Sequence, residues 1–175
     1  MLGIQQPRST PSSTKWSHWW IWTSSTARTA CGGDRVYPFR SFRDAGGIVA
    51  AGSNAPVDVP SPQPFVNTAA GLIRADLLPA NPLSKDENGE IMVVAVNAEE
   101  ALELDDILAA YTVNGAIAMG QQDLTGSLEP GERADLIMID TDIEAPSQNL
   151  ETIWDIAETK FPLTVFDGEI IHDAR

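Results

Sequence analysis

Apolar and polar positions alternate along this chain in short blocks, and each block predicts a different element. Ile48-Val49-Ala50-Ala51 is apolar on both faces and bounded by Gly46-Gly47 and by Gly52-Ser53-Asn54-Ala55-Pro56. A short run with no polar face reads as a buried parallel strand, and Pro56 cannot continue one. Tyr37–Ala45 forms a short helix or turn ahead of it. In residues 64–76, Phe65, Ala69, Leu72 and Ile73 fall near one helical face. Leu104, Ile107, Leu108 and Tyr111 follow i, i+3, i+4, i+7 spacing, which predicts an amphipathic helix with Asp105 and Asp106 in its first turn. Thr112 or Asn114 can cap a second short helix that runs to Met119 and stops at Gly120.

The last third changes period. Pro130-Gly131 is a turn, and Ala134–Asp140 is β-branched and apolar, a strand candidate. Leu150–Thr159 reads as helical. Leu163–Phe166 and Glu169–Ile171 flank Asp167-Gly168, the strongest short hairpin signal. The order is therefore a buried strand, then helices, then short antiparallel strands. The fold class is α/β.

Charge divides the chain in two. Residues 1–36 carry four basic side chains and one acidic, whereas residues 37–175 carry seven basic and 24 acidic. Four tryptophans (Trp16, Trp19, Trp20, Trp22) and eleven Ser or Thr residues also lie in the first segment. It shows neither helical nor strand periodicity over a useful length. The apolar stretch Trp19–Trp22 is too short for a signal-peptide core, and Thr29-Ala30-Cys31 lacks the apolar run that a lipoprotein signal needs. An isolated tryptophan cluster can serve as a carbohydrate or interface patch. The abrupt change near Tyr37 instead predicts that residues 1–36 are an unstructured or mis-joined leader.

The net charge of −14 argues against nucleic acid and against anionic membranes as partners. No apolar run is long enough to span a bilayer. One cysteine, Cys31, excludes an internal disulfide and a thiolate cluster, in keeping with a cytoplasmic location. Asp86, Asn88 and Gly89 have a faint calcium-loop order, but Ser84 and Ala95 occupy the first and bidentate ligand positions. Asn88-Gly89 therefore reads as a turn. The acidic residues of 99–106 read as a solvated helix face rather than an ion site.

Three stretches together carry a family resemblance. They are YPFRSFRDAGGIVAAGSNAPV from Tyr37 to Val57, DDILAAYTVNGAIAMG from Asp105 to Gly120, and GSLEPGERADLIMID from Gly126 to Asp140. TVFDGEIIHD from Thr164 to Asp173 echoes the last. In this order and spacing, residues 37–175 resemble the C-terminal region of amidohydrolase family 3, in the amidohydrolase superfamily of metal-dependent hydrolases. The resemblance implies a (β/α)8 barrel and a small composite β-sandwich built from both chain termini. Residues 37–122 would be the last strand and helices of an incomplete barrel, and 123–175 the C-terminal part of the β-sandwich. It further implies zinc or another divalent metal in the full-length family, held by histidines that include a His-x-His pair. The substrates it implies are amides, ureas or related C–N bonds.

The family's aspartate after the last barrel strand, which helps hold metal and takes a proton from the attacking water, matches Asn54. A carboxamide offers one weak oxygen ligand and no useful basicity, so Asn54 is expected to be non-functional in catalysis and to turn the chain after the strand. Two histidines exist, His18 in the leader and His172 in the terminal hairpin, and neither matches a family ligand. A catalytic zinc site needs about three protein ligands and an open position. A complete barrel takes ~250 residues and eight strands. After residue 36 only 139 residues remain, with one convincing barrel strand, Ile48–Ala51, expected to lack both neighbours.

The sequence thus predicts a truncated amidohydrolase-like chain without activity or a cofactor of its own. One alternative is a non-catalytic subunit or homo-oligomer that completes a barrel with a partner chain. Another is an autonomous binding module. A small-molecule amide is expected as substrate only of a complete enzyme.

Overall fold

The computed structural model describes the backbone of residues 19–22 and, with side chains, residues 37–53, 63–74, 88, 97–149 and 151–175. The described chain is mixed α/β, with two small sheets and two apolar clusters.

The first sheet has two parallel strands. β1 (Trp19–Trp22) pairs with β2 (Ile48–Ala51), placing Trp19 beside Ile48 and Trp22 beside Ala51. The strand expected to lack both neighbours therefore has one, and it comes from inside the segment read as an unstructured or mis-joined leader. Four aromatic or β-branched residues in a row have strong strand propensity, and the run was too short for a period to show. The rest of residues 1–36 lies outside the described residues. Within β2, Val49 and Ala50 are buried and the two ends are half-buried.

Helices on either side of β2 in the chain build the core beside it. α1 (Phe39–Asp44) precedes it, and Phe39 at its start is buried against Val49, Leu102, Ile107 and Ala110. α2 (Pro64–Ile73) opens with proline at its first position, where a missing N–H costs nothing. It stops sooner than the periodicity of residues 64–76 predicts, because Arg74 takes a left-handed backbone, φ 57°. That turn carries the Arg74 guanidinium to 5.2 Å from the Phe39 ring centroid and 5.8 Å from that of Tyr37. A cation over an aromatic face gains electrostatic attraction there. α3 (Leu104–Tyr111) has the predicted apolar stripe, with Ile107 and Ala110 fully buried.

α4 (Val113–Ala118) follows after a kink at Thr112, φ −118°, ψ −100°. Thr112 occupies the N-cap position without capping, since its hydroxyl donates backward to the Leu108 carbonyl at 2.7 Å. Asn114 does not cap either. Its side-chain amide donates to the backbone carbonyl of Val49 at 2.9 Å and ties α4 to β2.

The second sheet is antiparallel in the order β3 (Leu136–Met138), β4 (Leu163–Phe166), β5 (Glu169–Asp173). Asp167 and Gly168 between β4 and β5 both have positive φ, 49° and 82°. That is the two-residue hairpin turn whose twist matches the strands, and Asp-Gly favours it. Between β3 and β4 run α5 (Glu144–Ser147) and a 3-10 helix, Ile153–Glu158. Ile153 and Ile156 of the latter pack with Phe65, Ala69 and Ile73 of α2. Leu72 touches both apolar clusters and joins the helical part to the sheet part.

Candidate functional site

The C-terminal end of β2 is where the sequence places the candidate catalytic position. Two half-buried residues, Gly52 and Ser53, continue from the strand, and Asn54 lies just outside the described residues. The strand is gripped from three sides. β1 lies along it, Ile107 and Ala110 of α3 cover Val49, and Asn114 holds the Val49 carbonyl.

Next to this strand, the acidic run 99–106 meets the basic face of α1. Ser41 donates both its backbone N–H (2.8 Å) and its hydroxyl to the Glu100 carboxylate. Burial pushes the Glu100 carboxyl up, but these two hydrogen bonds, with Arg74 nearby, outweigh it and hold the group below the usual glutamate range. Arg43 bridges Asp44 at 2.7 Å and the Asp106 carboxylate, and its guanidinium is held above its ordinary value, first by Asp44. Asp106 also accepts from the Glu103 backbone N–H at 3.2 Å, and Arg40 lies 3.5 Å from Glu103. The run expected as a solvated face is thus partly engaged. Through Glu100, Glu103 and Asp106 it docks α1 onto the start of α3.

No group of three or more His, Cys, Asp or Glu side chains among the described residues is arranged to hold a metal ion. His172 is exposed on β5, across from Thr164 of β4. His18 and Asn54 lie outside the described residues. The donor set of the described residues does not fit a catalytic zinc, which needs about three converging nitrogen, sulfur or oxygen ligands.

A cleft of about 680 Å³ opens between Leu72, Leu104 and Leu108 on one side and Ile139, Ile143 and Ser147 on the other. Glu103, Asp105, Asp142 and Glu144 also line it. No residue of β2 is among those that line it.

Two features escaped the sequence reading. One is the Asn114 contact, whose signal is a polar residue of poor helix propensity among alanines and a glycine. The other is Asp135, the acidic residue of the Arg-Ala-Asp motif. Its carboxylate accepts from the Asp167 backbone N–H at 2.7 Å and from the Thr125 hydroxyl at 3.1 Å. With the Gly168 N–H donating to the Ala134 carbonyl at 3.1 Å, this binds the third motif to the Asp-Gly hairpin.

Comparison with known proteins places this arrangement. The chain is 35% identical over 108 residues to an N-substituted formamide deformylase from Arthrobacter pascens, a match covering 62% of this chain and 17% of that protein. It is 34% identical over 91 residues to a 5-methylthioadenosine/S-adenosylhomocysteine deaminase from Symbiobacterium thermophilum, covering 45% of this chain and 21% of that one. The chain thus spans about a fifth of the length of these relatives. Its fold matches part of the crystal structure of an adenosine deaminase from Xanthomonas campestris with bound zinc. The TM-score is 0.54 at 21% identity, over 79% of this chain and 28% of that one. Residues 10–172 match the sequence profile described as the amidohydrolase family, a span that starts ahead of Tyr37 and takes in β1. With the three motifs seated on β2, α3–α4 and the β3–β5 sheet, this chain belongs to the amidohydrolase family.

Proposed function

We propose that these residues supply the last barrel strand, its following helices and the C-terminal strands of the small β domain of a metal-dependent hydrolase of non-peptide C–N bonds, and that they perform no hydrolysis by themselves. The family membership and the formamide deformylase and deaminase relatives support the reaction class. The observation that carries the inactivity is chemical. Position 54 holds a carboxamide, and the described residues bring no three metal-ligating side chains together. Among the described residues no ligand group is assembled to hold a metal that would activate water, and the carboxamide at position 54 offers no base to take its proton.

The test is metal analysis of the purified chain together with an assay on N-substituted formamides and simple ureas. No stoichiometric zinc and no turnover are expected. One zinc per chain together with hydrolysis sinks the proposal.

A second reading has the chain act as a subunit that completes a barrel with a partner polypeptide. Exposed apolar side chains on the sheet favour it, Ile170 and Ile171 on β5, Phe166 on β4 and Ile137 on β3. A partner that covered these side chains would remove apolar surface from water. Co-purification from cells as a stable heteromer is expected on this reading. A well-behaved monomer at micromolar concentration counts against it.

A further inference from the structure

We propose that the cleft between α3 and α5 is a binding site for a small amphipathic cation, a protonated amine on a hydrocarbon body. Both walls of the cleft are largely apolar. Leu72 of α2, Leu104 and Leu108 of α3, and Ile139 after β3 are only half-buried there, although all four pack against the buried cluster that holds Phe65, Ile153 and Ile156. Covering their remaining surface with a hydrocarbon removes it from water, which is favourable. The volume of about 680 Å³ falls within the range of small-molecule sites, roughly 300–1,000 Å³. α3 has eight residues, so it is about 12 Å long, and its wall suits a body of about six to eight carbons rather than an extended polymer.

The rim sets the sign of the ligand's charge. Glu103, Asp105, Asp142 and Glu144 line the cleft, and no basic side chain is among the described residues that do. Glu103 has Arg40 at 3.5 Å, and Asp142 accepts from the Glu144 backbone N–H at 2.9 Å. The carboxylates of Asp105 and Glu144 are exposed and pair with no cation among the described residues. Helix ends do not account for them. The start of α3 offers about half a positive charge, and Asp106, which accepts from the Glu103 N–H, already stands at that end. α5 has four residues, a single turn, too short to carry a dipole of that size. The rim therefore stays negative above apolar walls. Such walls concentrate the field of the carboxylates and draw a cation more strongly than open surface does. An ammonium group at the rim with its hydrocarbon between Leu72, Leu108 and Ile139 satisfies both features at once.

Titration of the full chain with hexylammonium at neutral pH, followed by backbone amide NMR shifts, tests the assignment without any need for catalysis. Saturable binding in the low-millimolar range is expected for a ligand of so few atoms. The shifts are expected at Leu72, at residues 102–108 and at residues 139–148. Tetramethylammonium carries the charge without the body and is expected to bind at least about tenfold more weakly. Hexanol carries the body without the charge and is expected to bind about three- to tenfold more weakly. Asp105→Asn combined with Glu144→Gln keeps the shape of the rim and removes its unpaired charge. This variant is expected to bind hexylammonium no more tightly than hexanol, with its affinity for hexanol unchanged. Equal affinity of the parent chain for hexylammonium and hexanol overturns the proposal. So do shifts centred on Ile137, Phe166 and Ile170 of the second sheet, or spread over the whole acidic surface, since the cation is then adsorbed and not held in the cleft. If the double variant does not fold, the ligand comparison on the parent chain decides. Zinc binding with hydrolysis by the parent chain would remove the inactivity reading and leave this result standing.

Discussion

The carboxylate of Asp135 accepts a hydrogen bond from the backbone N–H of Asp167 at 2.7 Å, and that contact joins two motifs 32 residues apart. The N–H belongs to a turn residue with φ 49°, which directs it out of the β4–β5 ladder toward β3. The second carboxylate oxygen takes the Thr125 hydroxyl. Asp135→Ala is expected to lower stability by about 0.5–1.5 kcal/mol, the net worth of a hydrogen bond whose exposed donor can turn to water. Asp135→Asn, which keeps one acceptor, is expected to lose less. Urea unfolding followed by tryptophan fluorescence measures both, and equal midpoints for all three proteins would remove the role assigned to Asp135.

Gly126 tests a different constraint. Its φ of 112° suits glycine alone, and an added β-carbon would meet the Ala116 methyl at 2.7 Å and the Val113 backbone at 3.1 Å. Neither neighbour is the end of a flexible side chain, so α4 itself has to move. Gly126→Ala is expected to cost about 2–4 kcal/mol, combining backbone strain with overpacking. Gly131 has a similar φ, 106°, with open space around it. Gly131→Ala is expected to cost less, only its strain of roughly 1–2 kcal/mol. Thermal melts of the two variants give the comparison, and a larger loss at 131 than at 126 would contradict the packing argument.

How far the sequence reveals this molecule depends on whether a feature is local. The stripe of α3 and the Asp-Gly turn were legible because spacing and turn chemistry act within a few residues. The end of α2 was not, because the left-handed backbone of Arg74 accompanies contacts with the rings of Tyr37 and Phe39, which are distant in sequence. The last helix was legible as helical but not as 3-10. β1 was missed because four residues cannot show a period, and its pairing with Ile48–Ala51 is non-local. The candidate position Asn54 is an expectation from the motif around it and lies outside the described residues. The Asn114 contact that anchors its strand spans 65 residues, and no spacing rule reaches so far.

Acid should loosen α1 through Glu100. Its carboxyl is held below the ordinary glutamate value of 4.5, because the hydrogen bonds from Ser41 outweigh the opposing effect of burial. A group with a depressed folded-state pKa adds stability that is full above its unfolded value and is lost as pH falls through the folded value. The loss therefore begins near 4.5 and continues below it. Glu100→Gln is expected to be less stable than the parent chain at pH 7, with the difference shrinking as pH falls below about 4.5. Exchange rates of the α1 amides between pH 7 and pH 3 report on this. A difference that stays constant over that window would show that the charge at Glu100 contributes nothing.

Restoring a carboxylate at position 54 is expected not to restore chemistry. Asn54→Asp supplies an acid–base group and one anionic ligand, which is the part of the family's machinery that the motif around it points to. A catalytic zinc still needs about two more protein ligands and an open position. His172 is exposed on β5, a different sheet from the strand that leads to position 54, and no metal-binding group is assembled among the described residues. A single carboxylate in water holds zinc too weakly to survive gel filtration. Calorimetric titration of Asn54→Asp with zinc is therefore expected to show no site tighter than that of the parent chain, and assays on N-substituted formamides to show no turnover. If the substitution instead creates one tight zinc site with hydrolysis, the remaining ligands must come from residues 1–36, 55–62 or 75–96, or from a second copy. The search would then turn to His18, the only other histidine of the chain.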